Sequence, residues 1–322
     1  MRSPTLTVLA SCLGFGCSTS PAPAVILTTD VGTETDDQWA VAYLALLADA
    51  GVIDLLGIVT THAPNVERPP AETAARVARK VLETLNLGNP PRVVAGSNVP
   101  LEDAETPLSG AGGKFIVETA RSFSPANRLT VLSIGAATDL GDALLTDSEI
   151  ADNIRVVAMG FEGWPRGGDP FNVKNDPRAY EVILASRAPL TVGAADVCVR
   201  HLTEDRESVA RHTQGGGPAG DALRASFESW IARKEALCRK YTGRKAWPLW
   251  DLITVACLLG MATDEEHPRP RLREDLTFDH GPFGPEEGQG VIRWITKVDE
   301  ERLWADFEGR LKKHSAFSKP DS

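Results

Sequence analysis

No run of apolar residues in this 322-residue chain approaches the about 18 needed to cross a bilayer as a helix. Positive charge is in deficit as well. Lys and Arg number 34 against 44 Asp and Glu, a net charge of -10, and this argues against nucleic acid as the main partner, because phosphate backbones are held by basic surfaces. Cysteine is scarce. Of five in the chain, Cys198, Cys238 and Cys257 are too scattered for a disulfide framework or a zinc site and read as buried thiols. Internal repeats and linkers of disordered composition are also missing, so residues 25–316 read as a single domain. What remains, 42% hydrophobic and 24% charged, is the composition of a globular chain able to bury a large core. Its acidic balance suits a small molecule or a cation.

The first 24 residues, MRSPTLTVLASCLGFGCSTSPAPA, stand apart. One Arg, no acidic residue, a short apolar centre from Leu6 to Phe15 and a Ser/Pro/Ala tail resemble an export signal. Leu9-Ala10-Ser11-Cys12 has the small-residue-then-Cys form of a bacterial lipoprotein site, with Cys17 a second choice, so a lipid anchor is one expectation. A disordered extension on a cytoplasmic protein is the other reading. Export to the periplasm or to a lipid anchor is preferred.

Strand-like and helix-like segments then alternate. Val25 to Thr29 predicts a strand and Asp37 to Ala50 a helix, with Trp39, Val41, Leu44, Ala45 and Ala48 at helical spacing. Strands are predicted at IDLLGIVTT, PRVVAG, RLTVLSIG, IRVVAMG and PLTVGAAD, with helices between them. The pattern implies an α/β fold: a mostly parallel, doubly wound sheet with helices on both faces. Beyond Val199 the pattern turns helical, with one long amphipathic helix over 217–243 and a buried one over 249–262. LREDLTFDHG and QGVIRWITKVD predict a terminal hairpin, and EERLWADFEGRLKKH a closing helix.

Four acidic residues, Asp30, Glu34, Asp36 and Asp37, crowd the end of the first predicted strand in VILTTDVGTETDDQWAV. In open parallel sheets ligands bind outside the carboxyl ends of the strands. A hard cation such as calcium takes roughly six to eight oxygen ligands, so an Asp cluster on a Gly-containing turn is suitable chemistry. The spacing is neither that of an EF-hand nor that of a phosphate-cradling glycine loop. Helix capping explains one or two such carboxylates, not four.

ILTTDVGTETDDQWAVAYLAL resembles the N-terminal signature of the nucleoside hydrolases, calcium-dependent enzymes that cleave the N-glycosidic bond of nucleosides. IDLLGIVTTHAPN, RLTVLSIGAATDLGDALL, IRVVAMGFEG, FNVKNDPRAYEVI and LWDLITVA continue the likeness in order, over residues 25–310. By this resemblance Asp30, Asp37 and Asp251 are calcium ligands, joined by the backbone carbonyl of Thr138. It also implies that Asp30 is the base taking a proton from the attacking water, and that Asp36 and Asn172 bind ribose hydroxyls. The resemblance implies the nucleoside hydrolase fold, Ca2+ as cofactor, a nucleoside substrate and a homo-oligomer, dimer or tetramer. The chemistry is coherent, since a cation acidifies water while a carboxylate takes its proton as an oxocarbenium-like sugar forms.

Bland alternatives stand beside these roles. Thr138 suits a helix cap, Asn172 a turn and Trp250 the core, and Asp251 starts an almost wholly apolar helix where capping would partly satisfy it.

Three positions depart from the family pattern. Thr28 replaces the first Asp of its Asp-x-Asp pair. Pro170 replaces the Glu before Phe-Asn, with Asp169 one place earlier, which leaves open how the 5'-hydroxyl end of the sugar is recognised. Trp250 stands where some branches carry an acidic His, and the Trp-Asp pair resembles the purine-preferring branch, in which an aromatic ring stacks on the base. His62 and Asn65 in THAPN are read as substrate-binding residues, with His62 an alternative acid, although a lone His is more often structural. The leading expectation is therefore calcium-dependent hydrolysis of a purine ribonucleoside. A relative that binds a sugar or glycoside without turnover is the rival, and hydrolysis of a different glycoside is a third.

Overall fold

The computed structural model describes residues 21–64, 66–169, 171–283 and 290–317. Twenty of the 24 leader residues, both of their cysteines, Asn65 and Pro170 lie outside the described residues.

The first half runs β1 (Ala24–Thr29), α1 (Asp36–Asp49), β2 (Asp54–Thr60), α2 (Pro70–Leu85), β3 (Val93–Ala95), α3 (Ala111–Ala120), β4 (Leu129–Ser133), α4 (Thr138–Thr146), β5 (Ile154–Met159), the single turn α5 (Asn172–Asn175), α6 (Pro177–Ala185) and β6 (Leu190–Gly193). The second half follows with α7 (Ala195–His201), β7 (Thr203–Asp205), α8 (Arg206–His212), α9 (Gly217–Arg233), α10 (Glu235–Thr242), β8 (Ala246–Pro248), α11 (Leu252–Leu258), β9 (Ala262–Pro268), β10 (Arg271–Leu272), β11 (Phe278–Asp279), β12 (Val291–Val298) and α12 (Glu300–Phe317).

Eight strands form the central sheet in the order β3-β2-β1-β4-β5-β6-β12-β9. All its pairs are parallel except β12 with β9. β1 has no polar side chain until its end because both of its faces are covered. Val25 and Leu27 enter the core on one face, while Ile26 enters the core on the other with α3, α4 and α6. From β1 the chain first builds outward through β2 and β3, then returns to lay β4 on the opposite flank of β1. The carboxyl ends of β1 and β4 thus form a topological switch point, where such sheets open a crevice.

α1 is more deeply placed than its periodicity suggested. Nearly every residue from Asp36 to Leu47 is buried, because α12 packs over it, with Trp304 and Phe307 against Trp39 and Phe307 against Tyr43.

Three expectations for the second half are corrected. The long helix breaks at Lys234 into α9 and α10. The buried helix stops at Leu258, and Ala262–Pro268 becomes the edge strand β9. This strand is the antiparallel partner of β12, whereas LREDLTFDHG closes on itself as the small pair β10 and β11. A short alternating strand such as ATDEEHP carries little apolar signal, which is why the edge was missed. Cys198, Cys238 and Cys257 are free thiols, the first two buried and the third half-buried.

Candidate active site

The turn after β1 carries Asp30 and Glu34, the first turn of α1 carries Asp36 and Asp37, and the turn after β8 delivers Asp251. Asp30, Asp36, Asp37 and Asp251 are all at most 4% exposed. Carboxylate oxygens of Asp36, Asp37 and Asp251 lie within 4.8 Å of one another, although 214 residues separate Asp37 from Asp251 in the chain. Asp30 joins them in the wall of a cavity of about 310 Å3.

Capping does not account for this cluster. The residue before α1 is Thr35, and neither its side chain nor that of Asp251 before α11 bonds the helix it precedes. Asp36 Oδ1 and Asp251 Oδ2 are buried without a hydrogen-bond partner among the described residues. Asp37 Oδ1 accepts the Thr29 hydroxyl at 2.5 Å, and Asp30 Oδ2 accepts the Thr33 hydroxyl at 3.4 Å. Trp247 donates its indole N–H to Glu34 Oε2 at 2.9 Å. Gly135 fits beneath Asp30 only because it lacks a Cβ, which would come within 2.7 Å of the Asp30 nitrogen.

Burial drives the electrostatics. It pushes the carboxyls of Asp30, Asp36 and Asp251 well above the usual range, and the neighbouring carboxylates add to the effect. Asp37 is pushed up to about 6, against the pull of the Thr29 hydroxyl. Glu34 rises to about 7 despite the bond from Trp247. Buried like charges this close persist only if protonated or gathered around a cation. The donor set is all oxygen, and among the described residues two of these oxygens are unclaimed and Lys234 is the one basic side chain lining the cavity. These residues fit a hard divalent ion.

The rest of the lining is largely apolar and aromatic, with Ile134, Met159, Phe161 and Phe171 beside Asn172 and Asp169 from the first half of the chain, and Trp230, Leu237, Tyr241, Trp247 and Trp250 from the second. Trp247 and Trp250 meet edge to face at 5.6 Å, and Tyr241 stands edge-on to both. Asn172 donates its amide to the carbonyls of Ile134 and Met159 at 3.2 and 3.1 Å. Its Oδ1 is thereby turned the other way.

The family model for inosine-uridine preferring nucleoside hydrolase matches residues 25–305. The chain belongs to that family. It is a nucleoside hydrolase, an enzyme that hydrolyses N-glycosyl compounds. No curated protein matches it. Among solved structures, a plant nucleoside hydrolase is 18% identical, with a TM-score of 0.70 over 91% of this chain and 99% of its own. A purine-preferring ribonucleoside hydrolase from Gardnerella vaginalis is also 18% identical, with a TM-score of 0.69 over 92% and 100%. The inosine-uridine preferring enzyme from Bacillus anthracis is 18% identical, with a TM-score of 0.61 over 91% and 99%. At this identity the likeness to those structures establishes the shared fold.

Of the site residues read from the sequence of this nucleoside hydrolase, the cavity brings together Asp30, Asp36, Asp37, Asn172, Trp250 and Asp251. Thr138 and His62 are not in its wall. Thr138 is the first residue of α4, so its carbonyl points into the helix, and its hydroxyl donates to Asp176 Oδ2 at 2.6 Å. From the same segment it is Ile134, directly after β4, that reaches the cavity. His62 Nε2 bonds the Thr138 hydroxyl at 2.9 Å. That hydroxyl already donates to Asp176, so Nε2 carries the proton, and burial lowers the ring's pKa. Sequence reading did not single out Lys234, Leu237 or Tyr241. They reach the cavity because the helix breaks at Lys234, and a helical period carries no sign of such a break.

Proposed function

We propose that the protein hydrolyses the N-glycosidic bond of a purine ribonucleoside, with calcium as its metal, to give free base and ribose. The observation that carries this reading is the buried carboxylate cluster at the switch point, with unclaimed oxygens on Asp36 and Asp251. Asp30, Asp37 and Asp251 are the residues that would hold the ion, with Asp36 beside them. When bound, a divalent ion supplies acidified water and an anchor for sugar hydroxyls.

The chain's own groups supply the rest. Asp30, held by Thr33 and by the backbone over Gly135, is the carboxylate that accepts the proton of the attacking water. Without the ion, burial and the neighbouring carboxylates raise its proton affinity, and a bound cation would oppose that rise. Asp36 and the Oδ1 of Asn172 accept hydrogen bonds from ribose hydroxyls. Trp250, half-buried in the cavity wall, offers its indole face to the departing base, a contact worth roughly 1 kcal/mol. The aromatic wall, with Lys234 as its one basic side chain among the described residues, favours a flat, uncharged leaving group over a phosphate. Export of the enzyme, by a signal or a lipid anchor, is read from residues 1–24 alone and is tested by cell fractionation with and without Cys12.

The test of activity is incubation with inosine, uridine and a nitrophenyl riboside, with calcium or with chelator, and measurement of reducing sugar. Calcium-dependent release, faster from inosine than from uridine, is expected. Sugar binding without release would instead favour the non-catalytic relative.

A further inference from the structure

Asp169 lines the cavity where the sequence left recognition of the sugar's 5'-hydroxyl end open. Its carboxylate is already engaged by the main chain. Oδ1 accepts the Phe171 N–H at 2.6 Å, and Oδ2 accepts those of Phe161 and Val173, both at 3.1 Å. Three of about four lone-pair positions are thereby used.

Each donor belongs to a segment that shapes the cavity. Phe161 follows β5 in a left-handed conformation, φ 70°, which a bulky residue adopts only when its surroundings enforce it. Its ring is locked against Tyr180, Phe278 and Trp294, and its carbonyl accepts the N–H of Ala195. Phe171 and Val173 flank Asn172, whose amide bonds Ile134 and Met159. Asp169 therefore ties the strained turn to the turn that presents Asn172.

We propose that Asp169 is a positioning residue: it clamps the Phe161 turn to the Phe171–Val173 turn, fixes Asn172 in the cavity and does not read the sugar's primary hydroxyl. The proposal rests on the N-ribosidase reading above. It follows that discrimination between a riboside and its 5'-deoxy analogue does not depend on this carboxylate.

The test compares kcat/KM for inosine and 5'-deoxyinosine in the wild type, Asp169→Asn, Asn172→Ala and the double variant. Asn offers one acceptor oxygen and turns an NH2 toward backbone donors, so Asp169→Asn is expected to lower both substrates by the same factor, on the order of 10- to 100-fold. The double variant is expected to fall no further than Asn172→Ala alone, within about twofold, because the clamp acts through that residue. A loss confined to inosine, or multiplicative losses in the double variant, would overturn the proposal. Should Asp169→Asn not fold, Asp169→Glu keeps the charge but displaces the acceptors, and the same two patterns decide. A wild type that cleaves neither nucleoside sinks the hydrolase reading itself, and the same comparisons are then made on dissociation constants by calorimetry.

Discussion

Two groups of buried carboxylates, one at the carboxyl ends of the strands and one beside α3, α4 and α6, differ in what their oxygens meet. Beside α3, α4 and α6, Asp139 accepts the Ser97 N–H with both oxygens, Asp142 accepts Ser109 and Gly110, and Asp176 accepts Leu101, Ala179 and the Thr138 hydroxyl. Glycines give them room. A Cβ on Gly112 would come within 2.2 Å of Asp139, and one on Gly113 equally close to Asp142. At the switch point, Asp36 and Asp251 keep oxygens that nothing among the described residues satisfies. Burial does not separate the groups, and Asp139 is pushed up to about 7 just as Glu34 is. The donor inventory does. A buried carboxylate surrounded by N–H groups is finished as structure, whereas one without donors awaits a ligand.

Exchanging charge for neutrality at one member of each group should break the comparison most sharply. Asp251→Asn is expected to lower kcat/KM on the order of 1000-fold and to abolish tight calcium binding, yet to raise the melting temperature of the chelated protein, because it removes an uncompensated buried charge. Asp176→Ala is expected to do the reverse. It strands two backbone N–H groups and a hydroxyl and should cost about 3 kcal/mol in denaturant unfolding, with calcium affinity retained.

A pH titration sharpens the contrast further. Asp37 at about 6 and Glu34 at about 7 lie above their ordinary values, so the folded, cation-free protein binds more protons than the unfolded chain between pH 4 and 7. Its stability therefore falls as pH rises through that window. At the proposed ion site calcium would compete with those protons, so the gap in melting temperature between protein with calcium and chelated protein is expected to widen from pH 5 to pH 8. A constant gap would contradict the assignment of this cluster to the ion. The smallest effect is expected at the base wall, where Trp250→Ala should raise KM for inosine about tenfold and leave the calcium affinity unchanged.

The acidic turn and Asp251 were legible because crowded carboxylates beside apolar segments conflict with any purely structural reading, and order along the chain supplied the partners. Thr138 carried no such signal, since a role through a backbone carbonyl leaves no mark on residue type, and in the fold it opens α4 five positions after β4. The parallel sheet was legible through its continuous apolar strands. β9 was not, because an edge strand with one wet face carries little apolar signal, and Lys234 was hidden by a break that amphipathic spacing cannot reveal. Asp169 was read only as a displaced family acid; its bonds to three main-chain N–H groups depend on a left-handed Phe161 that sequence gives no reason to expect.

The position of α1 bears on how the chain is made. Tyr43 reaches the carbonyl of Leu303, 260 residues later, so the helix that carries Asp36 and Asp37 leaves the ribosome long before α12 exists to cover it. Through most of synthesis a nearly all-apolar segment lies uncovered, which is where a nascent chain is most prone to self-association and most in need of a chaperone. Loss of the final helix would therefore be felt first as poor yield of folded protein.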